Sequence, residues 1–187
     1  MARVPPARRR YEFVGAHDSQ LVVTKWSGEV EWHTPAQWVE AARRVLGAND
    51  LDPASSDRAQ ETVAAGAYFT KEADGLARPW RGRVWLNPPY AAGLVDRFVG
   101  KLVHHVGAGD VTAAIMLVDA RTDTAWFHLA ASACQRICLK RGRISFVRPD
   151  GVDADAATCG SAFLYFGPRP EAFEAVFAPF GLVVRRV

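Results

Sequence analysis

Residues 87–90 read Asn-Pro-Pro-Tyr and directly follow an apolar stretch of β-forming residues. Asn87 carries a side-chain oxygen that accepts hydrogen bonds, and the carbonyl of Pro88 is a second acceptor, held rigid because Pro89 follows it. Two fixed acceptors suit the two N–H bonds of a planar amine, such as the exocyclic nitrogen of adenine, and favour a tetrahedral, more nucleophilic nitrogen. Tyr90 adds a ring on which a flipped base can stack, a contact of ~1–3 kcal/mol. The motif therefore predicts a clamp for a planar amine, with a plain strand-ending turn as the alternative.

The clamp depends on the strand before it, and two other polar residues end predicted strands in the same way. Asp52 ends a short strand, and Asp119 follows the apolar run 111–118. The alternation of strands and helices predicts an α/β fold, with a mostly parallel sheet covered on both faces and an antiparallel C-terminal edge. Ligands of such sheets bind outside the carboxyl ends of the strands. We therefore expect Asp52, Asn87 and Asp119 to line one rim of the sheet.

Hydrophobic periodicity and turn residues place the other elements around this rim. The stretch 34–47 is predicted as a helix that Thr34 caps and whose first turn contains Pro35. Weak strand character occurs at 20–26. The remaining predicted elements are a helix beyond Asp52, helices at 92–106, 121–133 and near 170–178, and strands at 111–120, 136–139, 143–147, 161–166 and 181–186.

The composition is that of a globular chain of 187 residues, with apolar runs too short to span a bilayer. We expect residues 1–30 to form a basic N-terminal segment and 31–187 a single domain. The N-terminus lacks the apolar core of a signal peptide, and three cysteines give no disulfide framework, so we expect a cytoplasmic protein without a membrane partner. Cys134, Cys138 and His128 lack a matching second ligand pair, which favours buried thiols and no metal site.

The formal net charge of +3 is mild, but basic residues are clustered. Three arginines occupy residues 8–10, where a solvated or disordered arm is at least as good an interpretation as a phosphate contact. A second cluster lies between apolar runs and predicts a β-hairpin with a basic tip that contacts DNA phosphates. Arg121 and Asp123 follow the rim residue Asp119 and are further candidate DNA contacts, with a plain loop and capped helix as the alternative. The second cluster consists of Lys140, Arg141, Arg143 and Arg148.

The ordered set of motifs resembles a known family. The motifs are EWHTP at 31–35, LDPAS at 51–55, YFTKEADGL at 68–76, RVWLNPPY at 83–90 and MLVDARTDTAWFH at 116–128, with a single tryptophan, Trp80, between the third and the fourth. Together they resemble the phage-type DNA N6-adenine methyltransferases over roughly residues 31–166. The resemblance implies a trimmed Rossmann-like methyltransferase fold that uses S-adenosylmethionine. It also implies DNA as the partner and methyl transfer to the exocyclic amine of a flipped adenine.

Four of these motifs take a role by this resemblance. The first holds the methionine carboxylate at a helix start, the second surrounds the methionine moiety, and the third binds the adenine of the cofactor through a carboxylate and an apolar side chain. The fourth is the catalytic motif. The implied cofactor-binding residues are Thr34, Pro35, Asp52, Pro53, Ala54, Asp74, Gly75 and Leu76, and the implied catalytic residues are Asn87, Pro88, Pro89 and Tyr90.

Two departures from the family pattern leave alternatives open. The Gly-rich loop common in this fold class is replaced by DPASS, and residues 53–86 are too few for two further strand–helix units, because each parallel crossover needs about a dozen residues or more. Gln60 and Glu61 are the only weak candidates for the cofactor ribose. A non-catalytic nucleic-acid-binding protein on the same fold is one alternative function, and a methyltransferase acting on RNA or a protein amide is another.

Overall fold

The computed structural model describes residues 33–91, 93–147 and 159–185, all within the compact unit Glu31–Val187. The predictions for residues 1–30, among them the arginines at 8–10 and the weak strand at 20–26, lie outside the described residues, as does Arg148. None of the helices in the described ranges has the length and apolar character needed to cross a membrane.

The described residues alternate between helices and strands, as the sequence predicts. The helices are α1 (Ala36–Leu46), α2 (Asp57–Val63), α3 (Leu94–Gly107), α4 (Ala125–Ala133) and α5 (Pro170–Phe177), which a 3₁₀ turn (Ala178–Phe180) follows. The strands are β1 (Leu51–Asp52), β2 (Ala67–Tyr68), β3 (Gly82–Leu86), β4 (Val111–Asp119), β5 (Arg136–Lys140), β6 (Ser161–Phe166) and β7 (Gly181–Arg185).

The strands form one sheet in the order β2-β1-β3-β4-β6-β5-β7. The first four are parallel, β6 is antiparallel to both β4 and β5, and β7 is antiparallel to β5. Strand β5 therefore runs in the same direction as β4 and ends at the same rim. The predicted α/β class, with a mostly parallel sheet and an antiparallel C-terminal edge, is confirmed.

Two apolar cores cover the two faces of the sheet, because side chains along a strand alternate between faces. On β4, Met116 and Val118 pack with α3 and α4, whereas Ile115 and Leu117 pack with α1 and α5. All four side chains are fully buried. The uninterrupted apolar run of β4 follows from this burial on both sides, and it fixes the end of the strand, where Asp119 lies.

The region between β1 and β3 is shortened, as the sequence predicts. It contains only the short helix α2, the two-residue strand β2 and a series of turns over residues 71–77 before β3 begins. Within the described part of the chain, the sheet consequently has a single strand beyond β1 on that side. This is the trimmed form of the doubly wound sheet.

The predicted hairpin with a basic tip is wrong. Residues 143–147 form no strand, apart from one bridge in which Val147 pairs with His33. Both edges of β5 are already occupied, by β6 on one side and β7 on the other, so no edge remains for a hairpin partner. The chain after Lys140 instead crosses the rim of the sheet as a loop.

The start of α1 also differs from the prediction. The helix begins at Ala36 with Pro35 as its N-cap residue, and the hydroxyl of Thr34 makes no capping bond. That hydroxyl instead accepts a hydrogen bond from Asn87. The local sequence is typical of a helix cap, but Asn87, which follows β3, binds the Thr34 hydroxyl instead.

Candidate active site

Three polar residues lie at the carboxyl ends of adjacent parallel strands. Asp52 is the last residue of β1, Asn87 follows β3, and Asp119 is the last residue of β4. Strand β3 lies between the other two, with Leu51 opposite Val84 and Leu86 opposite Met116. The predicted common rim is therefore present. We call this edge of the sheet the polar rim.

The side chain of Asn87 is anchored at its nitrogen and unsatisfied at its oxygen. Its Nδ2 donates to Thr34 Oγ1 at 3.2 Å. Its Oδ1 is buried and has no hydrogen-bond partner among the described residues. A buried polar atom without a partner typically costs about 1–3 kcal/mol, and such atoms in folded proteins call for an explanation. An incoming N–H donor would satisfy this oxygen.

The two prolines after Asn87 fix the backbone where the strand ends. Pro88 is buried and Pro89 is exposed. Within the described part of the chain, the carbonyl of Pro88 accepts no backbone hydrogen bond. Because neither proline has an N–H group, this stretch of backbone offers acceptors without competing donors. The Pro88 carbonyl and the Asn87 side-chain oxygen therefore form a pair of hydrogen-bond acceptors.

Tyr90 is held at both its ring and its hydroxyl. The half-buried ring packs against the apolar core formed with α3 and α4. The hydroxyl oxygen accepts the backbone N–H of Asp119 at 2.7 Å. Burial raises the pKa of Tyr90 well above its ordinary value, so the phenol stays neutral. The sequence predicts the ring but gives no sign of the hydroxyl's partner, which lies on another strand.

The carboxylate of Asp52 lies almost entirely out of solvent, with 2% of the residue exposed. It accepts the backbone N–H of Ala54 at 3.3 Å and the side-chain amide of Gln60 at 3.0 Å. Burial raises the pKa of Asp52 to about 6, although its hydrogen bonds partly oppose the shift. The carboxylate is thus ionised at neutral pH but poorly solvated. A cationic ligand would stabilise it.

Gln60 is fully engaged within the protein, which was not evident from sequence. Its amide donates to Asp52 and Ser55, and its oxygen accepts the backbone N–H of Ala65. Glu61 is exposed and pairs with Arg58. Gln60 therefore orients Asp52, and both N–H groups of its side-chain amide are already engaged.

The turn at residues 74–76 touches the loop that follows Asp52. Asp74 is exposed, adopts a positive φ of 47°, and accepts the backbone N–H of Leu76 at 3.1 Å. Gly75 is buried so close to the loop that an added Cβ would lie 2.0 Å from the carbonyl oxygen of Pro53. Only glycine permits this approach. The two segments assigned to the cofactor by resemblance are therefore in contact.

Two side chains hold this turn in place: the tryptophan of the motif set and a lysine that the sequence did not single out. Trp80 is completely buried and donates its indole N–H to the Gly75 carbonyl at 2.8 Å. Lys101 of α3 donates to the Leu76 carbonyl at 2.9 Å and lies over the Trp80 ring.

The N-terminus of α1 offers unpartnered positive character beside Asn87. Among the described residues no side chain caps this helix, and its first turn contains no acidic residue. The first N–H groups of a helix and its dipole attract anions. Thr34 and Pro35 lead directly into this end of the helix, so the prediction that they border an anion site is compatible with the geometry.

Cationic side chains surround Asp119 at the other side of the rim. Asp119 is 4% exposed and pairs with Arg121 at 3.6 Å. The guanidinium of Arg143 lies near Gly160, at the start of β6, and also acts on the carboxylate. Burial raises the pKa of Asp119, and the two arginines partly oppose this shift. Asp123 is exposed in the turn before α4.

Lys140 is turned inward, whereas its basic neighbours are exposed. Its ammonium donates to the carbonyls of Arg141 at 2.8 Å and Arg143 at 3.3 Å, and it lies over the Trp38 ring at 5.2 Å. Arg141 and Arg143 are exposed. Lys140 therefore links the loop 141–147 to α1. The exposed arginines of this loop lie at the rim.

The described residues contain no group of His, Cys, Asp and Glu side chains suited to a metal ion. Cys134 and Cys138 are buried, as interpreted from the sequence. Cys134 packs in the core with α3 and α4, and Cys138 packs in the opposite core. The sheet thus lies between the two thiols.

A comparison with protein-family models agrees with the motifs and the fold. The model described as "DNA N-6-adenine-methyltransferase (Dam)" matches residues 23–173, a range that contains the whole polar rim. A comparison with curated protein sequences gave no match. The family match covers most of the chain, and the chain belongs to the DNA N-6-adenine-methyltransferase (Dam) family.

Proposed function

We propose that the protein transfers a methyl group from S-adenosylmethionine to the exocyclic amine of an adenine flipped out of duplex DNA. The observation that carries this proposal is the buried, unpartnered oxygen of Asn87 beside the rigid backbone of Pro88. The family match supports adenine in DNA as the substrate. The site supplies the acceptors that this reaction requires.

The chemistry follows from what two acceptors do to an aromatic amine. In adenine the lone pair of the amino nitrogen is delocalised into the ring, which makes the nitrogen a poor nucleophile. Acceptors at Asn87 Oδ1 and the Pro88 carbonyl would take one N–H each and favour a tetrahedral nitrogen whose lone pair is available. The nitrogen becomes cationic as it is methylated, and the two acceptors stabilise that charge. It then loses a proton, so no strong base is needed.

The residues around the rim fit S-adenosylmethionine, which supplies a methyl group made electrophilic by its sulfonium. The uncapped N-terminus of α1 suits the methionine carboxylate, and the buried carboxylate of Asp52 suits the methionine ammonium. The exposed carboxylate of Asp74 can accept from the amino group of the cofactor's adenine, and Leu76 can pack on its ring. Pro53 and Ala54 belong to the loop that follows Asp52, and the carbonyl of Pro53 lies against Gly75 in the turn that carries Asp74.

We expect Tyr90→Phe to lower turnover roughly two- to tenfold, because the Asp119 N–H loses its acceptor and the ring loses its anchor. Tyr90→Ala also removes the stacking surface and should weaken capture of the target base by about 10–100-fold. Steady-state kinetics with duplex DNA check both values. Tyr165→Phe is a matched control, since that hydroxyl also accepts a backbone N–H, from Arg169 at 3.0 Å, at the far end of β6. A Tyr90→Phe enzyme that matches wild type would show that only the ring matters.

DNA contacts are proposed for the exposed side chains at the rim, namely Arg121, Asp123, Arg141 and Arg143. Lys140 belongs to the same surface, but its internal hydrogen bonds suggest that it acts by holding the loop. Arginines in this position would meet the phosphates on either side of a flipped nucleotide. Arg121 and Arg143 are both held near the buried carboxylate of Asp119, which pre-orders them for that contact.

We expect Arg143→Ala to weaken DNA binding evenly across sequences and to flatten its salt dependence by about one log unit per log unit of salt. Lys140→Met should give a similar loss, and the double variant should be no worse than either single variant. Additive losses would show that Lys140 itself contacts a phosphate. Fluorescence anisotropy with a labelled duplex at several salt concentrations measures these slopes. Arg185→Ala, at the opposite end of the sheet, removes an exposed charge and is the control.

The class of substrate is tested by offering duplex DNA, RNA and unrelated proteins to the purified protein with radiolabelled S-adenosylmethionine. We expect label in DNA alone. Label in RNA or protein would favour the corresponding alternative. Binding of DNA without label in any acceptor would favour a non-catalytic binding protein.

A further inference from the structure

Thr34 and Asn87 join two parts of the site that are far apart in sequence. Thr34 directly precedes the start of α1, and Asn87 directly follows β3. Their hydrogen bond, 3.2 Å from Nδ2 to Oγ1, is the only described contact of the Asn87 amide. Thr34 itself is only 8% exposed. The bond is therefore partly shielded from water, which competes for both groups where they are exposed.

The orientation of this amide decides whether the site can work. An asparagine side chain has a donor end and an acceptor end of nearly the same shape, and a rotation of the amide exchanges them. With its nitrogen on Thr34, Asn87 presents its oxygen, which can accept the N–H of an amine. With the amide reversed, it would present N–H groups to an amine that also donates, and the clamp would repel its substrate. The Thr34 hydroxyl can accept from the nitrogen or donate to the oxygen, so it anchors the amide, and the target amine, which only donates, favours the orientation seen in the structure.

We infer that Thr34 is a positioning residue for catalysis, whose hydroxyl holds the Asn87 amide with its oxygen toward the target amine. This inference rests on the proposed function and adds a role to it. By resemblance Thr34 borders the cofactor carboxylate, a role that requires the start of α1 but not the hydroxyl. The bond to Asn87 gives the hydroxyl its own task, and it connects the start of α1 directly to the catalytic amide.

The two roles of Thr34 predict different kinetic effects. A residue that only contacts the cofactor should change the cofactor Kd when it is altered, and leave turnover at saturating cofactor intact. A residue that only positions Asn87 should leave the cofactor Kd intact and lower kcat. The side chains of valine and threonine have nearly the same shape, so Thr34→Val removes the hydroxyl with little change in packing. Thr34→Ser keeps the hydroxyl and removes the methyl group.

We expect Thr34→Val to lower kcat about tenfold at saturating cofactor and DNA, since one buried hydrogen bond is lost and the amide can rotate. The cofactor Kd, measured by calorimetry, should change by less than about twofold. Thr34→Ser should restore most of kcat. Thr112→Val, an exposed position at the opposite end of β4, is the control for the substitution itself.

A spectroscopic measurement tests the contact without turnover. In ¹⁵N-labelled protein the side-chain amide of Asn87, assigned by its loss in Asn87→Asp, should shift in Thr34→Val and stay near its wild-type position in Thr34→Ser. An unshifted amide with unchanged kcat in Thr34→Val would overturn the inference. A raised cofactor Kd with unchanged kcat would overturn it as well and leave Thr34 as a cofactor contact. If wild type transfers no methyl group, the proposed function fails, and the amide shift still shows whether the contact exists.

Discussion

Asn87→Ala should lower the rate of methyl transfer by about 10²–10³-fold, the range seen when one preorganised partner of a developing charge is removed. The change deletes the Asn87 oxygen, which is buried without a hydrogen-bond partner among the described residues. Its interaction with the amine strengthens as the nitrogen becomes cationic, so the loss should fall on kcat more than on binding of substrate. Cofactor affinity should remain nearly that of wild type. Single-turnover transfer of labelled methyl groups to duplex DNA, together with calorimetric titration of the cofactor, measures the two quantities.

Two further variants sharpen this prediction. Asn87→Asp should retain part of the activity, because a carboxylate also accepts from the amine and the Thr34 hydroxyl can donate to it. Asn49 is a matched control, since its Oδ1 is also buried without a partner among the described residues, but it precedes β1 at the opposite end of the sheet. Asn49→Ala should alter stability and leave the turnover of folded protein unchanged. Wild-type turnover in Asn87→Ala would rule out the clamp.

Asp52→Ala should raise the cofactor Kd about 10–100-fold, since a hydrogen bond to a charged group contributes about 1.5–3 kcal/mol. In the proposed function the buried carboxylate at the end of β1 pairs with the methionine ammonium, and removing it leaves that charge without its partner. Asp50→Asn is the control, because Asp50 pairs with Arg83 where β1 begins, at the opposite end of the sheet from the rim. Wild-type affinity in Asp52→Ala would overturn the assignment of Asp52 to the cofactor.

The same residue predicts how cofactor binding depends on pH. Without cofactor, burial holds the pKa of Asp52 at about 6. A bound ammonium favours the ionised carboxylate and lowers that pKa, so affinity is fully present above pH 6 and falls as the pH drops through 6. The Kd of wild type should rise by up to about tenfold per pH unit below 6, whereas that of Asp52→Ala should stay flat between pH 5 and 7. Titration calorimetry across this range measures the difference.

The polar rim could be predicted from sequence because it depends on strong local signals. The apolar run before Asp119 and the prolines after Asn87 fix where β4 and β3 end, and parallel order brings those ends together. The apolar residues of α1 recur at helical spacing in the sequence, and the structure buries them on one face of the helix; they include Trp38, Ala41, Ala42 and Val45. The fold class follows from the alternation of these elements.

What the sequence could not predict depends on partners distant in the chain. Residues 143–147 have strand-like composition, yet β6 and β7 occupy both edges of β5. Thr34 has the type and position of a helix cap, yet its hydroxyl binds Asn87. The hydroxyl of Tyr90 finds its partner in the backbone of β4, which no side-chain pattern reveals. Local propensity is a weak guide wherever tertiary contacts compete for the same group.

The most direct test of the proposed function is the identity of the methylated product. Duplex DNA incubated with S-adenosylmethionine and either wild-type protein or Asn87→Ala is digested to nucleosides and analysed by mass spectrometry. We expect N6-methyladenine with wild type and none above background with Asn87→Ala. A methylated cytosine, no methylated base with wild type, or equal N6-methyladenine from both proteins would contradict the proposal that Asn87 and Pro88 clamp the adenine amine.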